Sequence, residues 1–281
     1  MLGARSRTHN ARPYIIGNYI RQVIINMQSH QLLKAGAELL TGVTVCFLAY
    51  NEAKNLRILL PVAHKVLSGI GENYEIMVVD TSEPTDDTCA VCAEFEARYM
   101  PQELPGFGGA FKTGVKYARF DKYLTTDSDG SMSPLYFRDI YELFIKGSYD
   151  VVVGSRYCPG GQTHDSFAKV LQSRLLNSVM SLVIGVNARD LSINFRMHHT
   201  SSLQDIEEIM PLKSKHFAVN QEIFLKLRLM KADKRLSVGE TPIVFENRME
   251  GKSKRRLFVF IPEYIQNIFR LSYYRLMRRG L

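Results

Sequence analysis

The stretch KYLTTDSDGSMSP, residues 122–134, joins a short apolar run to a pair of aspartates and a turn. An apolar run that ends at polar residues, followed by Gly130 and Pro134, is typical of a buried strand leading into a loop. The aspartates, Asp127 and Asp129, lie one residue apart at the end of that strand. Two carboxylates at this spacing can converge on one hard cation such as Mg²⁺ or Mn²⁺, and they also fit an Asx turn that caps the next helix.

Similar apolar runs lie before and after this strand, and amphipathic stretches separate them. Strands that alternate with helices at this spacing predict an α/β fold, with a mostly parallel central sheet and helices on both faces. The predicted strands cover residues 43–49, 75–80, 122–127, 150–155 and 236–245. The predicted helices cover residues 53–68, 86–99, 109–120, 134–146, 166–184 and 217–231.

Polar residues follow each of the first strands directly. Because ligands bind beyond the carboxyl ends of the strands in an open α/β sheet, these positions form the candidate site. They are Tyr50, Asn51 and Glu52; Asp80, Thr81 and Ser82; Asp127, Ser128 and Asp129; and Gly154, Ser155 and Arg156. Such an acid-rich set argues against a nucleic acid at this edge of the sheet.

The glycine-rich stretch GFGGAFKTG, residues 106–114, does not fit a nucleotide-binding fingerprint. Phe111 stands where a dinucleotide-binding loop needs a small residue. A P-loop needs Gly-Lys-Ser/Thr, whereas here Lys112 is followed by Thr113 and Gly114 in the wrong order. These features disfavour a dehydrogenase or a P-loop kinase. We expect the glycines to allow a close backbone approach where a helix begins.

The charge of the chain is concentrated at its two ends. The 281 residues carry a formal net charge of +8, of which residues 1–42 carry +4 and residues 252–281 carry +7. The central part is therefore mildly acidic. Residues 1–41 are predicted to form a basic helical extension. Residues 257–281 are predicted to form a basic amphipathic helix, which either lies on an anionic membrane surface or docks on the domain.

Cysteine use and hydropathy suggest a cytoplasmic protein. Four cysteines in 281 residues do not form a disulfide scaffold. Cys89 and Cys92 lack a second pair at zinc-site spacing, so packing on one side of a helix is a simpler interpretation than metal or redox chemistry. No stretch reaches the roughly 20 apolar residues of a membrane-spanning helix, and no cleavable secretory signal is evident.

Seven motifs occur in an order that resembles inverting GT-A glycosyltransferases of glycosyltransferase family 2. The resemblance is to the branch of dolichol-phosphate mannose synthases and polyprenyl-phosphate hexosyltransferases. It implies a GT-A, Rossmann-like domain over residues 42–256. The motifs are FLAYNEAKNL (47–56), VVDTSEPTDDT (78–88), GGAFKTG (108–114), TTDSDGSMSP (125–134), VVVGSRYCPGG (151–161), RDLSINFR (189–196) and GETPIVFENRMEGKSK (239–254).

The same resemblance implies roles for individual residues. The nucleotide sugar, a GDP- or UDP-hexose, would be held by Ala49, Tyr50, Glu52, Asp80, Asp127 and Ser128. The divalent metal, Mg²⁺ or Mn²⁺, would be held by Asp127, Asp129 and Ser131. The acceptor phosphate would be bound by Lys169, Arg174, Ser253 and Lys254. The residues implied to be catalytic are Asp129, Arg156, Arg196 and Arg248.

The reaction implied is the metal-dependent transfer of a single hexose, with inversion, to a polyprenyl phosphate at the cytoplasmic face of a membrane. A phosphate acceptor is already ionised near neutral pH and needs no general base, whereas a sugar hydroxyl needs one. Glu222 and Glu240 are either such bases or structural partners of arginines. The chain has no Trp, which excludes the QxxRW motif of processive synthases.

Two other functions remain open on the sequence. In the first, the acceptor is a hydroxyl of a glycan or of a small molecule. In the second, the chain is a non-catalytic protein that binds nucleotide sugars or nucleic acid, as its pI near 9.3 allows. The leading prediction is an enzyme peripheral to the inner face of a membrane, with a nucleotide sugar and a polyprenyl phosphate as partners and no nucleic acid.

Overall fold

A computed structural model describes residues 38–231 and 235–249, together with two single helical positions, Gln266 and Phe269. The strands are β1 Leu40–Leu48, β2 Tyr74–Asp80, β3 Arg98–Pro101, β4 Phe120–Asp127, β5 Val151–Ser155, β6 Gln162–Thr163, β7 Arg196–His199, β8 Val238–Pro242 and β9 Val244–Phe245. The α-helices are α1 Ala53–Ser68, α2 Thr88–Glu94, α3 Phe107–Tyr117, α4 Phe137–Gly147, α5 Phe167–Ile184, α6 Thr200–Ile209 and α7 Val219–Met230. A 3₁₀ turn, Pro134–Tyr136, precedes α4.

The central sheet has seven strands in the order β3-β2-β1-β4-β7-β5-β8. β1 runs parallel to β2 and β4, β2 to β3, and β5 to β8, while β7 alone is antiparallel to both of its neighbours. The prediction of an α/β fold with a mostly parallel sheet is confirmed. β6 and β9 pair in a separate two-stranded ribbon.

The connections place helices on both faces of the sheet. From β1 the chain crosses through α1 to β2 on one side, whereas from β3 it returns through α3 to β4 on the other side of β1. Right-handed crossovers in opposite directions put α1 and α3 on opposite faces. Leu56, Leu60 and Ala63 of α1 are fully buried, and so anchor that helix to the apolar core.

The glycines at the start of α3 allow a close approach, as predicted. A β-carbon on Gly108 would lie 2.1 Å from the carbonyl oxygen of Ser214, and one on Gly109 would lie 1.9 Å from that of Leu104. Both contacts are with backbone atoms, which cannot move aside cheaply. Gly108 therefore serves packing between α3 and the segment before α7, and Gly109 serves packing of α3 against the loop that precedes it.

Several predicted elements differ from the structure. The helix expected over residues 86–99 ends at Glu94, because Glu96 adopts a left-handed conformation with φ of 54° and the chain then enters β3. The strand expected over residues 236–245 is two strands separated by Ile243. β7 and α6 were not expected, because the residues of β7, Arg-Met-His-His, lack the pattern of a buried strand.

The predicted terminal extensions lie almost wholly outside the described residues. β1 begins at Leu40, two residues before the predicted start of the domain. Of residues 257–281, only Gln266 and Phe269 are described, and Phe269 is exposed. Within the described part of the chain, no helix is both long enough and apolar enough to cross a bilayer.

His198 of β7 is an ionisable group in the middle of the sheet. It is fully buried, and within the described residues neither ring nitrogen has a hydrogen-bond partner. Burial, and then the charges of Arg196 and His199, hold the pKa of His198 well below its ordinary value of 6.5. Below about pH 6.5 the unfolded chain thus binds a proton that the folded chain does not.

We expect this one group to lower the free energy of unfolding by about 2 kcal/mol between pH 7 and pH 5, since stability is lost as the pH falls below the pKa of the unfolded state. Chemical denaturation at both pH values measures the effect. His198→Leu should remove this part of the pH dependence, whereas His199→Leu, at an exposed neighbouring position, should retain it. The same pH dependence in wild type and His198→Leu would contradict the assignment.

Candidate active site

The carboxyl ends of β1, β2 and β4 meet at one edge of the sheet. Leu48 at the end of β1 aligns with Val79 of β2 and with Asp127 of β4. The residues that follow these strands therefore lie together at this edge of the sheet, which we call the cleft. Ala49 continues the ladder, since its amide donates to the Val79 carbonyl at 2.8 Å, and Tyr50 then projects to the surface with a half-exposed ring.

Asp80 forms the base of the cleft on the β2 side. It is fully buried, and its Oδ1 accepts a hydrogen bond from the backbone N–H of Asn51 at 3.0 Å. Asn51 has a left-handed backbone with φ of 55°, and its side-chain oxygen accepts from the Thr85 amide at 2.7 Å. Asp80 and Asn51 thereby tie the loop after β2 to the end of β1.

Asp127, Ser128 and Asp129 lie beside this loop and are nearly buried. Asn194 donates from Nδ2 to Asp127 Oδ1 at 2.9 Å, and Ser128 Oγ donates to the Leu48 carbonyl at 3.0 Å. These bonds fix the turn against β1 and against the segment before β7. The side chain of Ser128 is turned toward the backbone of β1.

The Asx turn considered for this sequence is present at Asp129. The backbone N–H and the Oγ of Ser131 both donate to Asp129 Oδ1, at 3.0 and 2.5 Å. This turn uses one oxygen of the carboxylate. Ser131 contacts Asp129 as a hydrogen-bond donor, and the other carboxylate oxygen, Oδ2, lies near Arg248.

Arg248 brings the last described segment of the chain onto the same turn. Its guanidinium donates to Glu52 Oε1 at 2.6 Å and lies 3.5 Å from Asp129 Oδ2. The backbone supports this position, because the Met249 amide donates to the Asp129 carbonyl at 3.0 Å. The residue before α1, the turn after β4 and the segment after β9 thus meet at one guanidinium.

The donor set at this edge is suited to a hard divalent cation. Asp127 and Asp129 offer carboxylate oxygens, and Asp129 already attracts the cationic Arg248. In the described residues, no group of three or more His, Cys, Asp or Glu side chains is assembled that could hold a metal ion by itself. Mg²⁺ in proteins is commonly held by one or two carboxylates together with substrate phosphates. The two aspartates fit a cation of that kind.

Arg156, at the end of β5, is paired with Asp190. Its Nε and Nη2 donate to the two carboxylate oxygens at 2.7 and 2.8 Å, and Ser192 Oγ accepts a further bond at 2.9 Å. The guanidinium also lies over the rings of Tyr157 and Phe245. Burial lowers the pKa of Arg156 but the Asp190 carboxylate raises it more, so the group stays charged.

Arg196 lies inside the domain, at the start of β7. It is 1% exposed, and its Nε and Nη1 donate to the carbonyls of Ile193 and Asn220 at 2.6 and 2.9 Å. The guanidinium stacks over Phe224 at 4.8 Å. These contacts make Arg196 a link between β7 and α7.

Two of the four predicted acceptor residues lie within the described part of the chain. Lys169 and Arg174 lie on the exposed side of α5, where Lys169 lies 3.6 Å from Asp165 and Arg174 lies over the ring of Tyr157 at 5.2 Å. Ser253 and Lys254 lie outside the described residues.

The two glutamates considered as bases are both engaged. Glu222 is fully buried, lies 2.8 Å from Lys226 and accepts from the backbone N–H of Ser214 at 2.8 Å. Glu240 accepts from the amides of Arg189 and Asp190 at 3.0 and 3.1 Å. Each carboxylate therefore holds backbone in place.

We expect Asp190→Asn to lower the free energy of unfolding by about 3 kcal/mol, because it leaves the buried Arg156 without its counter-charge. Chemical denaturation at neutral pH measures the change. Asp87→Asn is the matched control, since it breaks an exposed pair with Arg57 at a similar distance, 2.6 Å, and should change stability little. Equal effects of the two substitutions would contradict a structural role for the buried pair.

Comparison with known proteins agrees with the fold described above. The sequence signature described as Glycosyl transferase family 2 matches residues 44–207, which run from within β1 past β7 and include the aspartate turn. The chain belongs to glycosyl transferase family 2. This confirms the family resemblance carried by the seven motifs.

Two curated members of the family cover most of the chain. A dolichol-phosphate mannosyltransferase from Pyrococcus furiosus is 29% identical over 82% of the chain, which spans 63% of the length of that protein. A polyprenol monophosphomannose synthase from Mycolicibacterium smegmatis is 26% identical over 73% of the chain and 77% of its own length.

A solved structure shows the same fold. Glucosyl-3-phosphoglycerate synthase from Mycobacterium tuberculosis, crystallised with Mn²⁺ and UDP-glucose, superposes with a TM-score of 0.57 at 16% identity. The alignment covers 91% of this chain and 83% of that one. The predicted GT-A architecture is thereby confirmed.

Proposed function

We propose that this glycosyltransferase moves a single hexose from a nucleotide sugar to a polyprenyl phosphate, with a divalent cation at Asp127 and Asp129. The observation that carries the proposal is the convergence of these aspartates with Glu52 and Arg248 at the carboxyl ends of the parallel strands. The names of the two curated relatives, both transferring mannose to polyprenyl-type phosphates, support the substrate class.

The donor side is formed by the strand ends. Asp80 and the loop it holds would bind the nucleoside, together with Ala49, Tyr50 and Glu52. The base of this nucleoside is either uracil or guanine. A bound Mg²⁺ or Mn²⁺ would supply positive charge to the diphosphate as it leaves. Arg248 is the nearest basic side chain to Asp129 among the described ion pairs and can turn from the carboxylates toward that diphosphate.

The acceptor side favours a group that is already ionised. A hydroxyl acceptor needs a general base, but Glu222 and Glu240 are both held by backbone amides and cations. A phosphate oxygen attacks without losing a proton near neutral pH. The engagement of both glutamates therefore supports a phosphate acceptor over a sugar hydroxyl.

Apolar surfaces near the site support a lipid-linked acceptor. A cavity of about 510 Å³ opens between α1 and the segment after β9, and its lining includes Ile58, Val62, Leu135 and Met249. Phe167, Leu171 and Leu175 of α5 are exposed at helical spacing, and the basic Arg174 borders this stripe. An apolar stripe with basic neighbours is typical of a helix that lies on an anionic membrane surface, as expected for a peripheral enzyme on the cytoplasmic face.

Asp129→Asn should reduce sugar transfer by about 100-fold or more, because the variant loses the charge that would hold the cation on the diphosphate. Asp139→Asn, at an exposed position in the first turn of α4, is the control and should transfer sugar as wild type does. Transfer assays with Mn²⁺ measure both variants. Full activity of Asp129→Asn in Mn²⁺ would disprove the metal role.

The acceptor is tested by where the radiolabelled product partitions. A screen of nucleotide sugars with Mn²⁺ first identifies the donor as the one that raises the melting temperature of the protein. With that donor, radiolabelled in its sugar, we expect the label to move into organic solvent when a polyprenyl phosphate is supplied. Label that remains in water with glycan or small-molecule acceptors would instead show a hydroxyl acceptor. Tight, steeply salt-dependent binding of DNA or RNA without donor turnover would favour a non-catalytic binding protein.

A further inference from the structure

Asn194 touches one of the two aspartates directly, although it follows none of the parallel strands. It lies two residues before β7 and is 2% exposed. Its Nδ2 donates to Asp127 Oδ1 at 2.9 Å, and its own carbonyl accepts from Thr125 Oγ1 at 3.0 Å. Asn194 is therefore fixed to β4 through both its backbone and its side chain.

The segment that carries Asn194 is held from behind by buried polar contacts. Arg196 donates to the carbonyl of Ile193 at 2.6 Å and to that of Asn220 at 2.9 Å. Asn220 in turn donates from Nδ2 to the Ser192 carbonyl at 3.1 Å. Because the residues on both sides of Asn194 are restrained, its amide has little freedom to leave Asp127.

An amide is chemically suited to this position. Its N–H₂ group donates to a carboxylate oxygen without bringing a positive charge, whereas Lys or Arg here would compete with a cation for Asp127. Partners that orient a metal-binding carboxylate commonly change metal affinity by 10- to 100-fold when they are removed.

We propose that Asn194 is a positioning residue, which fixes the rotation of the Asp127 carboxylate for the divalent cation. The inference rests on the proposed function, since it requires a cation at Asp127 and Asp129. It assigns Arg196 a supporting structural role, through the segment of residues 192–194.

The test measures binding of UDP and GDP to the full chain by calorimetry, with and without Mn²⁺. Asn194→Ala should weaken the Mn²⁺-dependent binding about tenfold and leave the metal-free nucleotide affinity unchanged. Asn194→Leu, which keeps most of the side-chain volume but has no donor, should show the same loss and is the second variant if the alanine form does not fold. Gln204→Ala is the matched control, because it removes a half-buried amide of α6 that donates to the Val115 carbonyl at 3.5 Å and does not touch either aspartate.

A double-mutant cycle with Asp127→Asn separates positioning from a general loss of structure. If Asn194 acts through Asp127, Asn194→Ala should cause no further loss in the Asp127→Asn background. Additive losses, or an equal loss in Gln204→Ala, would overturn the inference. Wild-type protein with no gain from Mn²⁺ would overturn the metal role and the inference together, whereas a gain fully retained in Asn194→Ala and Asn194→Leu would overturn the inference alone.

Discussion

The alignment of β1 with β4 is the constraint on which the site depends. Because Leu48 pairs with Asp127 in a parallel ladder, the first polar residues after both strands must emerge at the same edge. The β1–β2 pairing adds Asp80 to that edge. A shift of one residue in either ladder would turn the buried side chains to the opposite face and separate the carboxylates.

Much of this edge was predictable from the sequence, because buried parallel strands appear as apolar runs and the ligand-binding residues come directly after them. Asp80, Asp127 and Asp129 were found in this way. Asn194 was missed for a geometric reason. β7 runs antiparallel to β4, so its beginning, rather than its end, lies at the carboxyl edge of the sheet beside β4. A search restricted to residues after strands passes over it.

The arginines show where residue type alone is insufficient. Arg156, Arg196 and Arg248 were assigned similar roles from their motifs, yet their surroundings differ. Arg156 is committed to the buried Asp190, and Arg196 to backbone carbonyls within the core. Arg248 is partly exposed and bridges carboxylates at the cleft. The sequence gives the type of each residue directly, whereas the partner of each guanidinium depends on contacts between segments far apart in the chain.

The bridge made by Arg248 also bears on how the cleft tolerates its own acidity. Glu52 and Asp129 come from different elements, and without a counter-ion their proximity would cost stability by like-charge repulsion. The guanidinium between them relieves that repulsion in the protein alone. A divalent cation that binds Asp129 would replace the positive charge of Arg248 with its own. The acidic side chains can therefore lie close together in the folded protein before any ligand binds.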